Sequence, residues 1–298
     1  MRRGLLVPVV LLVVSVLPLY AAAPPTVGLS ISTLNNPFFV DLRDGAQAAA
    51  KRLNVNLVVL DAQNDSAREA SQIEDLIQKK VAVIAINPTD SDAIAPTIRK
   101  VQGAKIPVIT VDRGANGVTV AAHIASDNVA GGKMAAQYVA KRLKGKGNVV
   151  MLEGIAGTSA ARDRGKGFRD GLKGYTGIKL VAVQTADFDR AKGLSVMENI
   201  LQAQKKIDAV FAQNDEMALG AIQAIVAAQR EKAMFVVGFD AIADALAAIK
   251  AGTMAATIAQ QPKVMGRLAV ENAVKIIKKQ RVNKFTPVPL KLVTKQTM

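Results

Sequence analysis

Residues 81–88 read Val-Ala-Val-Ile-Ala-Ile-Asn-Pro, an apolar run from Val81 to Ile86 halted by Asn87 and Pro88. A strand with one wet face alternates polar and apolar residues, so an unbroken run of this kind belongs to a strand covered on both faces, as in a parallel sheet layered between helices. The same unit recurs in both directions. Val27–Ser32, Leu57–Leu60 and Val108–Val111 join it in a first set, with amphipathic stretches such as Phe38–Leu53 and Ser66–Lys79 between them. Ser66 and Glu69 have capping-box spacing and predict where the second of these helices starts. Asn148–Leu152, Lys179–Val183, Ala209–Ala212 and Met234–Gly238 form a second set. Strands alternating with helices predict doubly wound α/β structure, and two sets in a chain of 298 residues predict two similar parallel-sheet lobes.

Ligands in open α/β sheets bind beyond the carboxyl ends of the strands. Each run ends in a polar residue at that place: Ser32, Asn87 and the pair Asp112-Arg113 in the first set, Asn214, Asp240 and Gln260 in the second. Singly, Asn87 reads equally well as a turn residue before Pro88, and Asn214 as a helix N-cap. Their recurrence in both halves points to a shared cleft. Amide, carboxylate and guanidinium groups together match the adjacent hydroxyls of a polyol. Asp112 and Asp240 set against Arg113 and Arg164 leave the cleft formally neutral, whereas a phosphate or carboxylate ligand calls for uncompensated positive charge or a glycine cradle. Phe38 and Phe39 after Asn36-Pro37, and Phe188 between Asp187 and Asp189, offer rings for the C–H face of a sugar. Phe38 and Phe39 read alternatively as core residues of a helix's first turn. His123, within Ala121–Ala125, reads as a structural histidine.

Composition narrows the chemistry. With no Cys and one His, disulfides, thiolate metal sites, cysteine nucleophiles and multi-histidine metal centres are excluded. No Ser/His/Asp spacing, dinucleotide fingerprint or Walker A sequence occurs, and Gly154, Gly157, Gly165, Gly167 and Gly171 are wrongly spaced for a phosphate loop. The expectation is a protein that is not an enzyme, with no cofactor, metal or catalytic residue. A formal charge of +15 raises nucleic acid as a partner. The basic clusters, Lys141, Arg142, Lys144 and Lys146 or Lys275, Lys278, Lys279 and Arg281, fall instead at expected helix ends, and no aromatic residue is interleaved with the first. They predict a solvated surface and no nucleic-acid partner. At the N-terminus Arg2 and Arg3 precede an apolar run from Leu5 to Leu19 and then Ala21, Ala22 and Ala23. That is an export signal over residues 1–23, shorter than the ~20 apolar residues of a membrane span. Without Arg2 and Arg3 the formal charge is about +13.

Longer segments carry a family resemblance. Ser32-Thr33-Leu34-Asn35-Asn36-Pro37-Phe38-Phe39, Ile86-Asn87-Pro88-Thr89-Asp90-Ser91-Asp92, Val111-Asp112-Arg113, Gly154-Ile155-Ala156-Gly157-Thr158-Ser159, Ala186-Asp187-Phe188-Asp189-Arg190, Phe211-Ala212-Gln213-Asn214-Asp215-Glu216 and Gly238-Phe239-Asp240 follow in order the segments of one group. From about Thr26 to its end the chain resembles the periplasmic sugar-binding proteins of ABC transporters, the ribose binders above all. The resemblance implies a type I periplasmic binding protein fold with a three-crossover hinge. One lobe would span 24–126 plus 261–289, the other 127–260 plus 290–298. It implies ligand contacts from Asn36, Phe38, Phe39, Asp112 and Arg113 on the first lobe, from Arg164, Phe188, Asn214 and Asp240 on the second, and from Gln260 at a crossing. Phe38 and Phe188 would sandwich the ring, and Ser32, Asn87, Ser126, Ile155 and Phe239 would line or support the pocket. The implied partners of a periplasmic monomer are D-ribose or a similar neutral monosaccharide, an ABC transporter permease and a chemoreceptor. Allose, another pentose or a furanosyl signalling molecule stays open as the ligand. Sugar-responsive DNA-binding regulators share such a core, but the export signal stands where their headpiece would be. One departure concerns Ala241-Ile242-Ala243, where the family continues Gly-Thr-Pro, and it leaves the loop behind Asp240 open.

Overall fold

The computed structural model describes residues 23–298, so the export signal lies outside the described residues except for Ala23. The chain first lays down β1 (Thr26–Ile31), α1 (Pro37–Leu53), β2 (Asn56–Asp61), α2 (Ser66–Gln78), β3 (Val83–Ile86), α3 (Ala95–Gly103), β4 (Val108–Val111) and β5 (Ala122–Ala125). It continues with α4 (Asn128–Arg142), β6 (Lys146–Glu153), α5 (Ser159–Leu172), β7 (Gly177–Thr185), α6 (Arg190–Ala203), β8 (Ala209–Ala212), α7 (Asp215–Ala227), β9 (Phe235–Asp240), α8 (Ala243–Ala251) and β10 (Ala256–Ala259). It closes with α9 (Pro262–Ile277), β11 (Phe285–Pro287) and β12 (Lys291–Thr294). One sheet has the order β11-β5-β4-β3-β1-β2 and the other β12-β10-β9-β8-β6-β7.

The inner strands β3, β4 and β8 are buried at every position, which is what their unbroken apolar runs require. All pairings are parallel except β12 with β10. The exception follows from the path. Both sheets point their carboxyl ends at the cleft, so a chain running straight on from β11 enters the second sheet from its cleft edge and must run against its neighbours.

Helix N-termini gather at the cleft with the strand ends. Asn36, Asp65, Asp127, Thr158, Asp189 and Asn214 each accept a backbone N–H through a side-chain oxygen, capping α1, α2, α4, α5, α6 and α7. The capping-box reading of Ser66 is corrected here. The cap is Asp65, whose Oδ1 accepts Ala67 N at 2.8 Å and Arg68 N at 3.0 Å, and Glu69 turns away toward Thr89. Three helix pairs cross at glycines: α1 with α9 at Gly45 and Gly266, α4 with α5 at Gly132 and Gly167, and α6 with α7 at Gly193 and Gly220. A Cβ at any of these would overlap backbone of the facing helix. No helix among the described residues is long and apolar enough to cross a membrane.

Candidate functional site

A cavity lies between the sheets. Asn36, Phe38, Phe39, Asp112 and Arg113 line it from the first lobe; Ala160, Arg164, Phe188, Asn214 and Asp240 line it from the second, and Gln260 from a crossing. The structure thus brings together every residue read as a ligand contact and adds Ala160, a small side chain on the first turn of α5 that carries no chemical signal in sequence.

The charged groups are held apart. Arg113 Nε stands 4.0 Å from Asp112 Oδ2, and Arg164 Nη1 stands 3.7 Å from Asp240 Oδ1. Both gaps exceed the ~2.7–2.9 Å of a charge-assisted hydrogen bond, so these pairs leave bonding capacity unused. Protein partners fix the rest of each group. Arg164 Nε donates to Asn128 Oδ1 at 2.8 Å, its Nη1 donates to Gln213 O at 2.7 Å, and its guanidinium lies 3.9 Å from the Phe239 ring centre. Arg113 Nη1 donates to Pro88 O at 3.2 Å, and Gln260 Nε2 donates to Asp240 Oδ1 at 2.8 Å. Three atoms of these lining residues, Asp112 Oδ1, Arg113 Nε and Gln260 Oε1, are buried with no hydrogen-bond partner in the protein. Burial raises the carboxyl values of Asp112 and Asp240 above the ordinary range, against the opposing pull of Arg113 on the first and of Arg164 and Gln260 on the second. Asp112, Phe188 and Asp240 have φ of 62°, 57° and 117°, backbone strain of the kind that clusters at binding sites.

The asparagines divide by role. Asn36 Oδ1 accepts Phe38 N at 2.9 Å, and Asn214 Oδ1 accepts Met217 N at 2.9 Å while its Nδ2 donates to Phe188 O at 3.1 Å. Both are helix caps that also line the cavity. Asn87 is a brace behind it: Oδ1 accepts from Ser32 N and Oγ, and Nδ2 donates to Val111 O and Asp112 Oδ2. Ser32, Asn87, Ser126 and Phe239 are buried and stand outside the lining, and Ile155 lines an adjoining pocket. His123 is structural: its Nδ1 meets Thr110 Oγ1 at 2.9 Å and its ring stacks on Phe285.

The loop behind Asp240 is held by Asp215. Its Oδ2 accepts Ile242 N at 3.0 Å and its Oδ1 accepts Thr257 Oγ1 at 2.7 Å. Ala241 sits at φ 61°, where a Cβ is penalised. Ala241→Gly is therefore expected to stabilise the protein by about 1 kcal/mol, a rise of about 2–4 °C in Tm by calorimetry, with the loop retained.

A second carboxyl supports the site from behind. Glu69, 1% exposed, accepts Thr89 Oγ1 at 2.8 Å and Thr89 N at 3.2 Å through Oε2, fixing the loop whose Pro88 carbonyl holds Arg113. Burial pushes its carboxyl up to about 7 from 4.5. Protonation is thus favoured in the folded state, and ionisation costs stability that is lost as pH rises from about 4.5 to about 7, on the order of 3 kcal/mol. Glu69→Gln keeps the acceptor and removes the titration. The Tm of the variant should gain steadily on the parent between those limits and run parallel to it above them.

A family model described as a periplasmic binding protein domain matches residues 27–281. The chain belongs to the periplasmic binding protein family. It is 52% identical over 276 residues to the ribose import binding protein of Salmonella typhimurium, covering 93% of each, and 50% identical over 274 residues to that of Haemophilus influenzae, covering 92% of this chain and 93% of the relative. Among solved structures, the Caulobacter myo-inositol binding protein bound to myo-inositol superposes with a TM-score of 0.88 at 36% identity, covering 95% of this chain and 96% of that one. The architecture is that of the type I periplasmic sugar-binding proteins, two mainly parallel α/β lobes around a cleft.

Within that family frame, the lobes meet across the mouth of the cleft. Ser91 N donates to Gly157 O at 3.1 Å, Ser159 N to Ser91 Oγ at 3.0 Å, and Gly114 N to Ser159 Oγ at 2.9 Å. Sequence reading missed Ser91 and Ser159, since a serine beside a turn carries no signal of its partner.

Proposed function

We propose that this protein is an exported, non-enzymatic binding protein that captures D-ribose by hinge closure in the periplasm and delivers it, as a monomer, to an ABC transporter permease, with its closed form also read by a chemoreceptor. The observation that carries the reading is the set of unpartnered buried atoms in the cavity lining: Asp112 Oδ1 and Gln260 Oε1 want donors, and Arg113 Nε wants an acceptor. A sugar hydroxyl is both. The two carboxylates and two guanidiniums around the cavity favour an uncharged ligand.

The lobes, 24–126 plus 261–289 and 127–260 plus 290–298, move as two bodies about their crossings. Sugar bonded to both favours the closed form by its differential contacts, and the Ser91–Ser159 bonds add to closure without touching it. An epimer that misplaces one hydroxyl strands a buried polar group at about 1–3 kcal/mol, which supplies specificity. Calorimetry and thermal shift against neutral monosaccharides test the reading. D-ribose at ~100 times its Kd should stabilise the protein by about 2.7 kcal/mol, while xylose and arabinose do so far less. Absence of saturable ribose binding, or preference for allose, would overturn the ligand assignment.

A further inference from the structure

A glycine stands behind the one aromatic ring that the second lobe gives to the cavity lining. Gly154 follows β6 directly, Phe188 lies just beyond β7, and a Cβ at 154 would overlap Cζ, Cε1 and Cε2 of that ring. An approach in the ring plane would meet Cζ well before the two Cε atoms; near-equal overlap with all three puts the Cβ over the ring face. Phe188 lines the cavity and Gly154 does not, so the glycine backbone is the ring's rear wall. Conformation does not demand glycine here. Gly157 has φ 88°, but Gly154 is outside the left-handed region, where the backbone accepts alanine. At the helix crossings the missing Cβ makes room for backbone; at Gly154 it makes room for a side chain of the site.

The glycine backbone is tied on both sides. Gly154 N donates to Gln213 Oε1 at 2.9 Å, and Thr185 Oγ1 donates to Gly154 O at 2.9 Å. Gln213 is fully buried and is itself fixed, its N donating to Leu152 O at 3.0 Å and its O accepting Arg164 Nη1 at 2.7 Å. The stem of the ring is held too, with φ of 52° at Asp187 and 57° at Phe188 and the Phe188 carbonyl accepting Asn214 Nδ2 at 3.1 Å. What can move is the ring, toward the cavity, where the guanidinium carbons of Arg113 and Arg164 lie 5.5 and 5.7 Å from its centre. β6 and β7 are neighbours in one sheet, so the contact forms within one lobe and precedes any ligand. We propose that Gly154 is a positioning residue for the sugar site: its missing side chain seats the Phe188 ring against the backbone and so sets how far the ring reaches into the cavity. The effect on affinity rests on the sugar-capture reading; the seating of the ring does not.

A double-mutant cycle and a crystal structure test this. Gly154→Ala should lower D-ribose affinity at least about tenfold by calorimetry, with the fold retained by circular dichroism. Leucine lacks the three ring atoms that a Cβ at 154 would strike. Phe188→Leu should itself weaken binding, but adding Gly154→Ala to it should cost no more than about twofold further. A glycine needed only for the stability of the loop would cost the same in both backgrounds. In a crystal structure of ligand-free Gly154→Ala, the Phe188 ring should stand more than about 1 Å further into the cavity, since ordinary carbon contacts need about 3.5–4 Å. Equal losses in the two backgrounds, unchanged affinity in Gly154→Ala, or a ring left in place over a shifted backbone would each overturn the proposal. A parent protein that binds no neutral monosaccharide would instead remove the sugar-capture reading, and the ring's position in the crystal would still decide the part played by Gly154.

Discussion

Asp240→Ala is expected to weaken D-ribose binding at least about a hundredfold in calorimetry without loss of the fold, since a carboxylate bonded to adjacent hydroxyls contributes about 1.5–3 kcal/mol per bond. The fold survives because Arg164 keeps Asn128 and Gln213 as acceptors and Phe239 as its stacking partner when the carboxylate is gone. The two observables should move oppositely. Burial makes the ionised Asp240 costly, and Asp215 close by is a second buried carboxyl, so Asp240→Asn should hold or raise the ligand-free Tm while affinity falls. A variant that loses stability and affinity together would mean that Asp240 is structural. Asn214→Ala makes the useful contrast. Its side chain caps α7 and holds the Phe188 carbonyl, so it should lose about 1 kcal/mol of stability as well as affinity.

Gly132→Val carries the largest expected loss of stability. Helix propensity alone favours the change by several tenths of a kcal/mol, because glycine is a poor helix former. Packing opposes it. A Cβ at Gly132 overlaps the backbone carbonyl oxygen of Arg164 on the facing helix, and no side-chain rotation can clear it. We expect a loss of about 3 kcal/mol or more, a fall of roughly 6–12 °C in Tm. Ribose affinity should fall with it, because α5 carries Arg164 into the cavity. Ala203→Val, exposed at the end of α6, controls for the β-branch and should change Tm little. An unchanged Tm in Gly132→Val would show that the α4–α5 crossing can open without cost.

How far each feature could be read depends on whether its cause is local. Val83–Ile86 is a doubly covered strand because no polar residue interrupts it, and the residues after such strands gather at the cleft end, some in the lining like Asp112 and some bracing it like Asn87. Asp112, Arg113, Asn214, Asp240 and Gln260 could therefore be named from position and chemistry. Local signals erred where two candidates were adjacent: Ser66 has the spacing of a cap, yet Asp65 makes the bonds. They were silent where the partner is remote. Glu69 in sequence has the spacing of a capping-box partner to Ser66, and only its burial against Thr89 makes it a support for Arg113. Ser91 and Ser159 are 68 residues apart and meet only because the lobes do.

By itself, then, the sequence determined two sets of alternating strands and helices, the chemistry at the strand ends and the neutral balance of charge, since each follows from periodicity and residue type over short windows. The tertiary structure alone decided that Arg113 and Arg164 stand too far from their aspartates for hydrogen bonds, that Asp112 Oδ1, Arg113 Nε and Gln260 Oε1 are left without partners, and that glycines set the helix crossings. Apart from the neighbours Asp112 and Arg113, those are distances between segments far apart in the chain, fixed by how two lobes and their helices pack.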